Sequence, residues 1–68
     1  MSEMRITKMG DDEYHVEDKD SFIDDDVNGS QLLAMATTRT NPDANKILQT
    51  LDSEPVGYTM IVDYRKAL

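Results

Sequence analysis

At 68 residues with no cysteine, the chain is one small domain that no disulfide or thiolate zinc site can brace, so packing, another metal site or self-association must hold it. Its formal charge of -7 at pH 7 argues against direct binding to nucleic acid or an anionic membrane, both of which call for lysine and arginine, and makes a basic partner the natural complement. No run approaches the roughly 20 apolar residues of a membrane span, the start Met1-Ser2-Glu3-Met4-Arg5 lacks a leader core, and the absence of cysteine fits a reducing compartment, so a soluble cytoplasmic protein is expected.

Taken in order, Met4-Arg5-Ile6-Thr7-Lys8-Met9 alternates as a strand, and Gly10-Asp11-Asp12 supplies turn residues, with Gly10 the one suited to positive φ. Glu13-Tyr14-His15-Val16-Glu17 alternates again, which predicts a β-hairpin over residues 4–17 with Tyr14 and Val16 inward and Glu13, His15 and Glu17 outward. Residues 18–29 have no clear period and close on Asn28-Gly29, so they read as an acidic loop. Within it, Phe22-Ile23 is either an anchor onto the core, the favoured reading, or an exposed hot spot framed by acid.

Ser30 is placed to cap a helix over residues 31–39, with Leu32, Met35 and Ala36 on one face. Asn41-Pro42-Asp43 breaks that helix and starts the next, over residues 42–52, in which Ala44, Ile47, Leu48 and Leu51 follow the i, i+3, i+4, i+7 pattern. After Asp52-Ser53-Glu54-Pro55 comes the most apolar run, Val56 to Tyr64, which puts Tyr58, Met60, Val62 and Tyr64 on one strand face. Ile61 adds an apolar group to the other face, which predicts a core strand inside a sheet or an interface. It pairs with either the first or the second strand and leaves one strand edge open, and a short basic tail over residues 65–68 follows it and frays. The predicted fold is α+β, one domain over residues 1–68 in the order β-β-α-α-β, a three-stranded sheet with two short helices on one face.

The charge is segregated. Residues 11–26 hold nine acids (Asp11, Asp12, Glu13, Glu17, Asp18, Asp20, Asp24, Asp25 and Asp26) against Lys19 alone, a net of -8, while the rest of the chain carries +1. Such a stretch is either a solvated hairpin end and loop that keeps the chain soluble, or a surface whose spaced carboxylates imitate nucleic-acid phosphates and dock on a basic groove. Phe22 and Ile23 would add apolar area to that surface.

Other chemistry is less well supported by the residues present. Asp24-Asp25-Asp26-Val27-Asn28-Gly29 matches the opening of a calcium loop, with Asp24, Asp26 and Asn28 as ligands, but the twelfth position is Met35, where a bidentate glutamate is needed. The row Glu13, His15 and Glu17 is a second candidate metal set, although a single histidine leaves it almost wholly carboxylate. With no cysteine, no second histidine and no phosphate-cradling glycine loop, no enzyme and no cofactor are expected.

The expected function is that of a non-enzymatic acidic inhibitor occupying a basic, nucleic-acid-binding surface of another protein. In size and composition alone the chain is similar to small regulators carried by viruses and other mobile elements. The alternative is self-association into a homodimer through Tyr58, Met60, Ile61 and Val62.

Overall fold

Alternation along the first strands decides which side of the sheet is dry. In the computed structural model, which describes residues 2–40 and 44–64, β1 (Ser2–Gly10) buries Met4 and Ile6, and β2 (Glu13–Asp18) buries Tyr14, Val16 and Asp18. They pair antiparallel with Ile6 opposite Val16 and Lys8 opposite Tyr14, and the register slips by one between Lys8 and Gly10. Asp12, not Gly10, takes the left-handed conformation in the turn, at φ 56°.

The segment read as a loop folds further than expected. A single 3-10 turn (Lys19–Ser21) leads into β3 (Ile23–Val27), which pairs antiparallel with β2, so the sheet has four strands rather than three. Helix α1 (Gly29–Thr40) starts before Ser30. Asn28 is its cap: the Asn28 side chain accepts the Gln31 N–H at 2.9 Å and the Gln31 side chain accepts the Asn28 N–H at 2.9 Å, a reciprocal capping box. The Gly29 N–H donates to Asp12 Oδ1 at 2.8 Å, and a Cβ on Gly29 would lie 2.7 Å from that oxygen, so only glycine lets the first turn clip to the helix here.

Helix α2 (Ala44–Ser53) buries Ala44, Ile47 and Leu51, as its spacing predicts; the proposed start signal at residues 41–43 lies outside the described residues. Lys8 Nζ donates to the Asp52 and Glu54 carbonyls at 3.1 and 2.8 Å, supplying a cation to orphan acceptors at the helix end. The Tyr58 N–H then closes a turn on the Pro55 carbonyl with Gly57 at φ 98°, and β4 (Thr59–Tyr64) follows.

The sheet order is β3-β2-β1-β4, all antiparallel. The most apolar run is therefore an edge strand that pairs with the first strand rather than the second, and the centre of the sheet belongs to β1 and β2. Both helices cover the face carrying Met4, Ile6, Tyr14 and Val16, with Leu32, Ala36, Ala44, Ile47 and Leu51 completing the core. Tyr58, Met60, Val62 and Tyr64 pack on its margin, half-buried. The opposite face is open. No helix among the described residues is long and apolar enough to cross a membrane, and the basic tail at residues 65–68 lies outside them.

Candidate functional site

Strand pairing sorts the acidic residues into different roles. Glu13 and Glu17 on β2 and Asp24 and Asp26 on β3 share the open face, with Glu17 directly opposite Asp24 and His15 opposite Asp26. Asp25 lies opposite Val16 and so points to the core side, yet it stays exposed because β3 is an edge. Asp11 and Asp12 sit exposed in the β1–β2 turn and Asp20 in the 3-10 turn. The open face also carries Glu3, Arg5 and Asp63 from β1 and β4, where Arg5 is the neighbour of Glu17.

A carboxylate directly opposite another, as Glu17 is to Asp24, is unfavourable. His15 offsets this. Its Nδ1 lies 2.7 Å from Asp26 Oδ1 and its Nε2 2.7 Å from Asp24 Oδ1, and because ionised carboxylates only accept, both ring nitrogens must donate. The imidazole is therefore held as a cation between two carboxylates. The hydrogen bond to Asp26 is the largest influence and raises the His15 pKa above 6.5, partial burial opposes it, and the bond and charge of Asp24 raise it further.

That raised pKa has a sign. The bridge contributes fully below the unfolded value near 6.5 and is lost as pH rises through the higher folded value, so β3 is expected to loosen on the alkaline side. Proton NMR of the His15 ring is expected to titrate above pH 6.5 in the wild type and closer to it in Asp24→Asn/Asp26→Asn; a wild-type midpoint at or below 6.5 would show that the bridge does not form.

His15, Glu17 and Asp24 also offer one metal-donor atom each within 4.8 Å of one another, although a metal on Nε2 would have to displace the proton given to Asp24. The calcium-loop reading fails on backbone geometry. Residues 24–27 are extended, Asp25 points away from Asp24 and Asp26, and Asn28 is engaged at the start of α1 rather than wrapped around a common centre.

One residue expected at the surface and one expected to anchor the core change places. Asp18 is 0% exposed and belongs to the core. Its Oδ2 accepts from Arg39 Nε at 2.7 Å and from the Tyr64 hydroxyl, and its Oδ1 accepts from the Asp20 and Ser21 N–H groups at 3.1 and 3.3 Å. Burial pushes its pKa up, but Tyr64, Arg39 and the Ser21 N–H outweigh this and hold it below 3.8. Arg39 also donates to Ser21 Oγ at 3.0 Å and lies 5.7 Å from the centre of the Tyr64 ring. At the other end of the core the Tyr14 hydroxyl donates to Asp52, and burial first, then Asp52, raises its pKa to about 12.

Phe22 is the converse. It is 95% exposed and holds a left-handed backbone, φ 55° and ψ 39°, as the cap of the 3-10 turn. Only Ile23 of the pair packs against the core, so the anchor reading holds for Ile23 and fails for Phe22. Phe22, Glu17, Lys19, Ile23 and Asp24 line an open concavity of about 470 Å³. Of the residues expected to self-associate, Tyr58, Met60 and Val62 face the core margin and Ile61, 54% exposed, faces out.

Comparison of the chain with protein-family models, curated proteins and solved structures finds no match in any of the three.

Proposed function

We propose that the protein is a non-enzymatic binding protein whose acidic open face and β3 edge occupy a basic, nucleic-acid-binding surface of a partner protein in the cytoplasm. Phe22 carries the reading. A nearly fully exposed phenylalanine with a backbone that bulky residues avoid has no evident stabilising role of its own, and it stands beside Glu17, Lys19 and Asp24. An apolar anchor ringed by charge is the composition of an interface hot spot.

The carboxylates support the same reading. Asp24 and Asp26 along β3, and Glu17 across from Asp24, stand about 5–7 Å apart, with Glu13 farther along β2 beyond His15. The end of the face toward Asp24 therefore presents closely spaced negative charge of the kind a phosphate-binding groove accepts. A basic partner would relieve the repulsion between Glu17 and Asp24 and would be captured quickly by electrostatic steering, which makes the protein an inhibitor by imitation of nucleic acid.

Phe22→Asn tests this directly, because asparagine tolerates the left-handed backbone that costs other residues about 1–2 kcal/mol. The variant is expected to melt at the wild-type temperature or a few degrees higher while its affinity for the partner falls at least tenfold. The partner is identified as a nucleic-acid-binding protein retained by the immobilised wild type at low salt and eluted at high salt. Undiminished retention of that protein by Phe22→Asn would remove the anchor, and a lowered melting temperature would show that Phe22 is packed.

A further inference from the structure

The two edges of the sheet are unlike. Along β3 a strand arriving from outside meets Asp24 and Asp26 on one face and Asp25 on the other, which is how natural sheets guard an edge. Along β4 it meets only Asp63 among Thr59–Tyr64, and among the described residues nothing pairs with that side. The backbone there is poised for pairing. The Lys8 N–H donates to the Tyr58 carbonyl at 2.9 Å, so by antiparallel alternation residues 60, 62 and 64 turn their amides toward β1, while Thr59, Ile61 and Asp63 turn theirs outward.

We infer that β4 is the edge at which the protein pairs with a second copy of itself, antiparallel and two-fold symmetric about Ile61, to form a continuous eight-stranded sheet. The register follows from the side chains. Centred on Ile61, each Asp63 faces Thr59 of the second copy and each Met60 faces its Val62, whereas a join centred on Asp63 would set two carboxylates against each other. The outward amides of Thr59, Ile61 and Asp63 then make about six hydrogen bonds across the join. Ile61, 54% exposed in one copy, is covered by its counterpart, with Arg5 as its β1 neighbour on either side.

Charge favours this edge over the other. The excess of -8 lies in residues 11–26, on the β2–β3 side of the sheet, whereas β1 and β4 carry Glu3 and Asp63 against Arg5 and Lys8. Joined through β4, the two β3 strands stand seven strand spacings apart, about 34 Å, several times the screening length of about 8 Å at physiological salt. A join through β3 would bring six aspartates together. The pairing goes beyond the proposed partner surface and does not depend on it, since it leaves that surface free in both copies.

The full chain has no cysteine, so single nitroxide labels can be placed at Ile61→Cys and, in a separate variant, at Asp26→Cys. Light scattering is expected to give twice the monomer mass of 7.7 kDa, with strong dipolar broadening from the first label and a separation beyond about 25 Å for the second. Ile61→Pro, which removes an outward N–H and leaves the β1–β4 ladder intact, is expected to raise the dimer dissociation constant at least 100-fold with unchanged circular dichroism. A monomer at millimolar concentration would overturn the inference, as would a dimer whose Asp26→Cys labels are the closer pair. If Ile61→Pro unfolds, the label distances alone decide.

Discussion

Replacing Asp18 by alanine is expected to lower the melting temperature by more than about 12 °C, the largest effect of any single acidic substitution in the chain. The carboxylate is fully buried and takes hydrogen bonds from Arg39, Tyr64 and two backbone N–H groups. Removing it strands a guanidinium whose side chain is only 11% exposed and uncaps the 3-10 turn. Breaking a buried pair from one side costs about 3–5 kcal/mol, against a total stability of about 3–10 kcal/mol for a chain of this length. Arg39→Met should cost a similar amount, and the double variant less than the sum. Because the Asp18 pKa is depressed, its contribution is fully present above 3.8 and is lost as pH falls through the lower folded value, so acid unfolding should begin below 3.8 and disappear as a distinct step in Asp18→Asn. A loss of less than about 5 °C in Asp18→Ala would mean that the cluster is solvated.

The second large effect is on association. Changing Asp24, Asp25 and Asp26 together to lysine is expected to slow capture of the basic partner by about 100-fold at low salt, within the range that electrostatic steering supplies. The fold should survive, since β3 is an edge, lysine guards an edge as well as aspartate does, and Ile23 and Val27 keep their core contacts. The lysines would nonetheless face His15, so the triple asparagine variant is the necessary companion: it keeps an acceptor oxygen toward the imidazole and removes only charge. Stopped-flow association rates across a salt series should fall in the order wild type, asparagine, lysine, and the salt dependence should fade in the same order. Equal rates for all three at unchanged circular dichroism would return the acidic stretch to a solubilising role.

Much of the fold is legible in the sequence where one pattern acts alone. The hairpin follows from alternation around a turn, and α2 from the spacing of Ala44, Ile47, Leu48 and Leu51. β3 escaped because Ile23-Asp24-Asp25-Asp26-Val27 has neither β propensity nor alternation; pairing with β2 and the His15 bridge make it a strand, and both are tertiary. Asp18 was hidden by its acidic neighbours, although Tyr14, Val16 and Asp18 share one parity and a strand extended by a single residue would have turned it inward. The exposure of Phe22 runs against hydropathy: the left-handed cap turns it out and leaves Ile23 the inward place. The apolar richness of residues 56–64 marks a core strand but does not choose its partner: one covered face and a margin of the core explain the richness, and the pairing with β1 is tertiary.

The sheet order also sets a timetable for synthesis. β1, β2 and β3 pair with neighbours just released from the ribosome, whereas the other side of β1 waits for Thr59–Tyr64, far down the chain. At translation rates of about 5–20 residues per second this leaves the Met4 and Ile6 strand open-edged for several seconds in each nascent chain. During that interval the acid-rich β3 already guards the opposite edge, so the growing chain has a single sticky side, and holding chaperones should meet the newborn protein there.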